Sequence, residues 1–224
     1  MQILITTLRC ILMSVLAAVA AAHCDKSETE DRNVLPSPSF EGPMSLEEAL
    51  AQRRSVRSFT DQALTREDVS QLCWAAQGIT ENREGMRTAP SAGALYPVEL
   101  YVVGAECVEH YRPRGHTLER HLDGDVRAAL QAAALDQTSV GEAPACMVIA
   151  AVVESTARKY GPRAERYCFM EAGHVAQNIL LQATALHLGG VPVGAFEDEE
   201  VGAVLKLPPG QRALYLIPVG YPGG

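Results

Sequence analysis

Lys159 and Tyr160 are adjacent in the stretch ARKYGPRAERY, which sets a primary amine beside a phenol. Partial burial lowers a lysine pKa toward neutrality and a tyrosine hydroxyl can donate or accept a hydrogen bond, so the pair suits proton transfer. The same two residues equally make a solvated lysine and a packing tyrosine, because most lysines stay exposed. A second group is Arg53, Arg54, Ser55 and Arg57, in RRSVR. If the helix before them continues, Arg53 and Arg57 share one face and offer guanidinium forks beside a hydroxyl, a phosphate clamp. Arginines near a helix C-terminus also simply complement the macrodipole, which is worth about 0.3–1 kcal/mol each. A third group is Pro90, Ser91, Ala92, Gly93 and Ala94. Their side chains have so little bulk that backbone N–H and C=O groups can lie against a flat, aromatic ligand. Such a loop otherwise just turns a corner before a strand.

The elements that must hold these groups follow from periodicity. Val98, Leu100 and Val102 alternate with Glu99, Tyr101 and Val103, a period of two that predicts a strand with Pro97 at its start, where a missing donor is tolerated. Ser45-Leu46-Glu47-Glu48 is an S-x-x-E capping box that predicts a helix from about Leu46 into RRSVR. Thr65-Arg66-Glu67-Asp68 starts a second helix, with Val69, Leu72, Cys73 and Ala76 apolar and Gly78 at its end. Trp74 on that helix reads as core or interface packing. Residues 105 to 122 contain Tyr111, Pro113 and Gly115 with His110, His116 and His121, whose irregular intervals read as scattered surface histidines and not as a metal site. Asp125 to Leu135 reads as a short Ala-rich helix and Ala145 to Val153 as a strand buried on both sides. The longest periodic stretch, Arg163 to Leu188, predicts a central helix, ended by Gly189-Gly190. Its small residues Ala172, Gly173 and Ala176 allow close helix approach. Lys159 and Tyr160 then fall at a loop-to-helix junction. A short helix over about Glu199 to Leu205 and a strand from Ala213 to Val219 follow.

With 224 residues, 47% hydrophobic and 21% charged, the chain builds one sizeable domain. A formal charge of −8 argues against a nucleic-acid surface, although a local basic cluster can still hold a phosphate. The six cysteines show no metal-ligand spacing, and a core of this size needs no disulfide framework. Residues 1–22 read as a signal peptide: Arg9, then an apolar run from Cys10 broken only by Ser14, ending on Ala20 and Ala22 as an A-x-A cleavage signal. The run is too short for a membrane span, and the protein is expected to be exported to the periplasm. A lipoprotein at Cys24 is the competing idea, disfavoured by the bulk of His23, and a misassigned start codon would leave the protein cytoplasmic. Residues 23–44 have the composition of a linker or tail, and residues 45–224 make the domain. Helices that do not alternate regularly with short strands predict an α+β fold with a mixed, mostly antiparallel sheet, and no GxGxxG or Walker pattern is present.

TAPSAGALYP, RRSVRSF, ERYCFMEAGHVAQNILLQATAL and VPVGAF together resemble motifs of the nitroreductase superfamily. They are most similar to its branch of dehydrogenases related to the thiazoline and oxazoline oxidases of peptide natural-product biosynthesis. The resemblance covers about residues 45 to 222 and implies a nitroreductase-like fold whose long helix lies at a dimer seam. It implies an obligate homodimer with FMN at both subunit interfaces and electrons passing through flavin N5. Arg53, Ser55 and Arg57, with Arg54 beside them, would contact the FMN phosphate and ribityl chain. Pro90 to Ala94 and the loop of Pro192, Val193, Gly194 and Ala195 would lie near the isoalloxazine ring. The Lys159–Tyr160 pair would serve dehydrogenation of a small organic or peptide-derived substrate, with NADH or NADPH as a candidate electron donor. A flavin-binding protein without turnover and a generic NAD(P)H-dependent nitro or quinone reductase are the alternatives. Gly194 lacks the acidic residue found in several nitroaromatic reductases, and basic residues that many of them add after the last strand are missing; both points favour the dehydrogenase-like branch.

Overall fold

The computed structural model describes residues 33–223. The signal-peptide reading of residues 1–22, Cys24 and the start of the linker lie outside the described residues. From Leu35 onward the chain forms one unit. Its elements are α1 (Leu46–Gln52), α2 (Arg66–Gln77), the hairpin β1 (Ile79–Glu81) and β2 (Met86–Arg87), then β3 (Val98–Val103), β4 (Cys107–Arg112) and β5 (Thr117–Asp123). After these come α3 (Arg127–Ala133), α4 (Thr138–Glu142), β6 (Ala145–Val152), α5 (Val153–Tyr160), the long α6 (Ala164–Ala185), β7 (Gly189–Gly190), α7 (Asp198–Val204) and β8 (Gln211–Gly220). The main sheet runs β5-β4-β3-β6-β8-β7, and every strand pair in it is antiparallel. A parallel bridge joins Ser55, outside the strands, to Gly190 of β7. The α+β class expected from the sequence is the class observed.

Both faces of this sheet are covered, and the alternation along β3 decides which residue goes where. Val98, Leu100 and Val102 join Met147 and Ile149 of β6 against Leu72 and Cys73 of α2 and Val175 and Ile179 of α6. Tyr101 and Val103 join Val148 and Ala150 on the other face, against Leu130 of α3 and Val201 of α7. Burying each such aliphatic side chain is worth roughly 1.5–3 kcal/mol, so a central β6 that is apolar almost throughout is what a two-sided core demands. Both predicted capping boxes form: Ser45 with Glu48 starts α1, and Thr65 with Asp68 starts α2.

Two local expectations are corrected. The first helix stops at Gln52, and Arg53 leaves it with extended backbone at φ −51° and ψ 125°. Backbone pairing wins over helix continuation there, because Val56 N–H donates to the Gly190 carbonyl at 3.0 Å. Residues 105 to 122, to which the sequence reading assigns no element, hold the β4–β5 hairpin, turning at Gly115 and His116, both at positive φ. Its histidines are not surface scatter: His110 is 6% exposed, bonds Glu99 at 2.7 Å and stacks on Tyr101 at 4.3 Å. His116 is held between Tyr111 and Ser70, at 2.8 and 2.7 Å. Alternation along two short strands, interrupted by a bulge at Val108–Glu109, hides this pattern from a helical-face test.

The stretch from Leu35 to Met44 contains no helix or strand and lies along α2. Leu35 is buried, the Pro36 carbonyl accepts from Ser70 Oγ at 2.6 Å, and Phe40 meets Trp74 edge-on at 5.4 Å. No helix among the described residues is long and apolar enough to cross a membrane. No group of three His, Cys, Asp or Glu residues among them is placed to hold a metal ion.

Candidate functional site

The loop ahead of β3 folds back on itself through Ser91. Its hydroxyl accepts from Tyr96 N–H at 2.9 Å and its carbonyl accepts from Ala94 N–H at 3.1 Å. Gly93, Ala94 and Tyr96 all take positive φ, at 63°, 54° and 49°. For the two non-glycine residues this costs roughly 1–2 kcal/mol each, the kind of strain found at functional sites. At Gly93 a β-carbon would lie 2.6 Å from Tyr160 Oη and 2.7 Å from Lys159 Nζ. The structure therefore brings together two groups that stand far apart in sequence: the bulkless loop and the Lys–Tyr pair.

Lys159 and Tyr160 do not sit at a loop-to-helix junction but close the last turn of α5, because Gly161, at φ 52°, is where the chain breaks before α6. Tyr160 is half-buried, its ring 5.0 Å from that of Tyr167 at the start of α6. Lys159 lies over the Tyr160 ring with Nζ 5.4 Å from its centre. Its side chain is exposed in the single chain, so the burial that the proton-transfer argument invokes must come from a ligand or a second subunit.

Beneath the loop, α6 supplies a support that sequence reading misses. Glu171 is 2% exposed. Burial pushes its carboxyl up, against the opposing pull of the Ser91 hydroxyl, the Arg87 charge, the Gln77 side chain and the Val98 backbone. Gln77 is close enough to favour the charged form, yet Gln77 Nε2 and Glu171 Oε1 both lack a partner at hydrogen-bonding geometry. Gln77 Oε1 accepts from Arg87 Nη1 at 2.7 Å, and the Arg87 guanidinium lies 4.5 Å over the Tyr96 ring. One turn on, His174 Nδ1 stands 3.3 Å from the Pro90 carbonyl. The sequence signal is an acidic residue inside the apolar stripe of a core helix, between Cys168 and Val175.

Arg53, Ser55 and Arg57 form a second group, set by the extended backbone. A period of two places them on one side, while Val56 turns to Gly189, whose β-carbon would sit 2.6 Å from that of Val56. Thr60 N–H donates to the Tyr221 carbonyl and Gly223 N–H to the Ser58 carbonyl, both at 2.9 Å, which fixes the far end of the strip. Neither Arg53 nor Arg57 has an ion-pair partner among the described residues. Arg54 is engaged differently, donating to the Ala51 and Arg53 carbonyls at 2.9 and 2.8 Å and so closing the end of α1. In the loop from Pro192 to Ala195, Val193 is buried and pairs with Leu216, Gly194 is exposed beside Tyr215, and the Ala195 carbonyl accepts from Gln137 Nε2 at 2.8 Å.

The two groups are separated along α6. Tyr160 packs on Tyr167 and the Gly190 backbone lies near Leu180, and these two α6 residues are about 20 Å apart at the α-helical rise. A flavin mononucleotide fits the chemistry at both ends. Two uncommitted guanidiniums beside a hydroxyl suit a phosphate, and a strained turn without side-chain bulk suits the face of a ring.

The Methanocaldococcus jannaschii protein MJ1384, which carries a nitroreductase name, is 47% identical over 181 residues, covering 78% of this chain and 90% of that protein. The microcin B17-processing protein McbC of Escherichia coli is 25% identical over 207 residues, 85% of this chain and 75% of that protein. A crystal structure from Ralstonia eutropha JMP134, also named for the nitroreductases, superposes with a TM-score of 0.78 at 26% identity, covering 86% of this chain and 90% of that one. Residues 50–221 match the profile described as the nitroreductase family, and with the sheet order and long helix above, the chain belongs to that family.

Proposed function

We propose that this chain is an FMN-dependent oxidoreductase acting as a homodimer on a small organic or peptide-derived substrate, with Lys159 and Tyr160 handling the proton. The observation that carries the reading is the convergence of Lys159 Nζ and Tyr160 Oη on the backbone at Gly93. Bound FMN supplies the redox chemistry through its N5 position, and the protein's share is to hold, orient and protonate. Arg53, Ser55 and Arg57 bind the phosphate through charge-assisted hydrogen bonds, each stronger than a neutral one. Pro90 to Ala94 present backbone to the ring, and the Pro192–Ala195 loop borders it. When a substrate is oxidised it gives up a proton besides its hydride equivalent, and the Lys159–Tyr160 pair accepts that proton; in the reductive direction, with NADH or NADPH as donor, the pair returns it.

A second copy completes the site in this reading. Phe169 and Met170 of α6 and Leu46 and Leu50 of α1 are large apolar side chains exposed in the single chain. A partner that covers them also supplies the closure that Lys159 lacks. Similarity to McbC and the absence of an acidic residue at Gly194 favour the dehydrogenase-like branch over a generic nitro or quinone reductase. The exported setting read from residues 1–22 belongs to the same proposal, and N-terminal sequencing of the mature protein tests it. The function itself is tested by the visible spectrum of protein desalted after incubation with FMN, followed on addition of NADH or NADPH. A bound, reducible flavin is expected, and a colourless protein would overturn the reading.

A further inference from the structure

Lys159 and Tyr160 are flanked along the chain by cations, two of which local stability does not ask for. The chain carries a formal charge of −8, yet residues 158–166 include Arg158, Lys159, Arg163 and Arg166. Glu165, the acid within that run, is taken by Arg212 at 2.5 Å. Arg158, Arg163 and Arg166 are exposed and make no ion pair among the described residues. Arg158 and Lys159 need no special account, since the C-terminal turn of α5 favours positive charge. Arg163 and Arg166 are different. Arg163 ends the 3-10 turn Gly161–Arg163 that leads into α6, with helical backbone at φ −82° and ψ −9°, and Arg166 lies in the first turn of that helix. A cation in the first turn of a helix opposes the macrodipole at roughly 0.3–1 kcal/mol. Local rules broken without compensation are expected where function requires it.

The same two arginines are close to the Lys–Tyr pair. The 5.0 Å contact between the Tyr160 and Tyr167 rings brings the first turn of α6 against the Lys–Tyr pair. Arg163 follows Tyr160 by three residues through the 3-10 turn and Arg166 adjoins Tyr167, so both charges are anchored within roughly the screening length, about 10 Å at 0.1 M salt. A local excess of one sign of charge raises the local concentration and capture rate of the opposite sign, by about 10-fold at the low end of electrostatic steering.

We propose that the molecule taken up beside Lys159 and Tyr160 carries an anionic group, a carboxylate or phosphate, and that Arg163 and Arg166, supported by Arg158, select it. This rests on the reading of Lys159 and Tyr160 as the reacting end of the site. The anion has two possible sources, the organic substrate and the phosphates of a nicotinamide donor, and probe pairs separate them. Dithionite-reduced, FMN-loaded full chain is reoxidised by 4-nitrobenzoate or by the neutral 4-nitrobenzamide, and the oxidised protein is reduced by NADPH or by NADH. The wild type is expected to react about 10-fold faster with the more negative member of at least one pair at low ionic strength, a preference that shrinks as salt is added. In the Arg163→Gln, Arg166→Gln double variant the ratio falls toward one. A preference confined to the nitro pair assigns the anion to the substrate, and one confined to the nicotinamides assigns it to the donor. The double variant should also melt at a higher temperature than the wild type, because the unfavourable charges at the helix start are gone.

Equal rates within both pairs, or a preference that survives the double substitution, overturns the proposal. So does loss of FMN in the variant, which would make the arginines cofactor ligands, or loss of the dimer with a lower melting temperature, which would make them subunit contacts. If the chain takes up no flavin, the oxidoreductase reading fails on its own, and the anion site is still decided by melting. 4-Nitrobenzoate, but not the amide, must then raise the melting temperature of the wild type and not of the variant. No such rise would overturn it.

Discussion

Gly93 turns at φ 63° under the ammonium group of Lys159, so close that a β-carbon at this residue would lie 2.7 Å from Nζ. The atoms it would meet are the free ends of two flexible side chains, Lys159 and Tyr160, and not backbone. Gly93→Ala should therefore fold, losing about 1–2 kcal/mol from the left-handed backbone while pushing the Lys and Tyr ends away from the loop. Flavin-coupled turnover should fall by more than the stability change accounts for. Chemical denaturation read beside steady-state rates checks this, and a variant with normal turnover would mean that the close approach is incidental.

Glu171 gives a pH signature with a definite sign. Its folded-state pKa is raised above the ordinary value of 4.5, chiefly by burial. A raised carboxyl binds its proton more tightly in the folded state, so its contribution is fully present below the unfolded pKa and is lost as pH rises through the folded one. Glu171→Gln should remove that fall, leaving a flatter stability profile above about pH 4.5 than the wild type. Thermal melts across pH 4 to 8 (roughly the range where a buried carboxyl titrates) read it, and parallel profiles would assign the charge to another group.

For the second group, the double substitution Arg53→Ala, Arg57→Ala should strip the flavin. Each charge-assisted hydrogen bond lost is worth about 1.5–3 kcal/mol, roughly 10- to 100-fold in affinity. Fluorescence titration with FMN measures it directly, and unchanged affinity would move the phosphate elsewhere.

Much of this was open to sequence reading because local signals agreed with the tertiary outcome. The capping boxes at Ser45 and Thr65, the alternation from Val98 to Val103 and the apolar stripe through Val175 and Ile179 each point to the element that forms. Arg53 to Arg57 are different, because their extended form depends on pairing with Gly190, far along the chain. Residues 105–122 hide two strands because His110 and Glu99 satisfy each other across neighbouring strands, which makes buried positions look polar. Lys159 and Tyr160 are legible as a pair, but their approach to Gly93 is a product of strand order: the loop precedes β3, α5 follows β6, and β3 and β6 are antiparallel neighbours with Val98 opposite Ala151. Glu171 carries a local signal, an acid in an apolar stripe, whose meaning appears only once Ser91 and Gln77 are placed around it.

Apart from its chain neighbours and the backbone of α6 itself, no atom of the described residues lies within 4 Å of a β-carbon built at Gly173. Gly173→Leu should thus leave the single chain folded and act only where a second copy packs on α6, at about 1–3 kcal/mol of overpacking. Sedimentation should show a weakened dimer, with flavin occupancy falling alongside it. A variant that stays dimeric and fully loaded would place the seam on another surface.

The central claim is tested most directly by single-turnover reoxidation of the reduced, FMN-loaded protein by 4-nitrobenzamide, followed at the flavin absorbance, in the wild type and in the Lys159→Ala, Tyr160→Phe double variant. The account predicts flavin bound in both proteins and a rate lower by about 10²- to 10⁴-fold in the variant, the usual loss when a general acid or base is removed. Equal rates with flavin retained, or a wild type that holds no flavin, would contradict it.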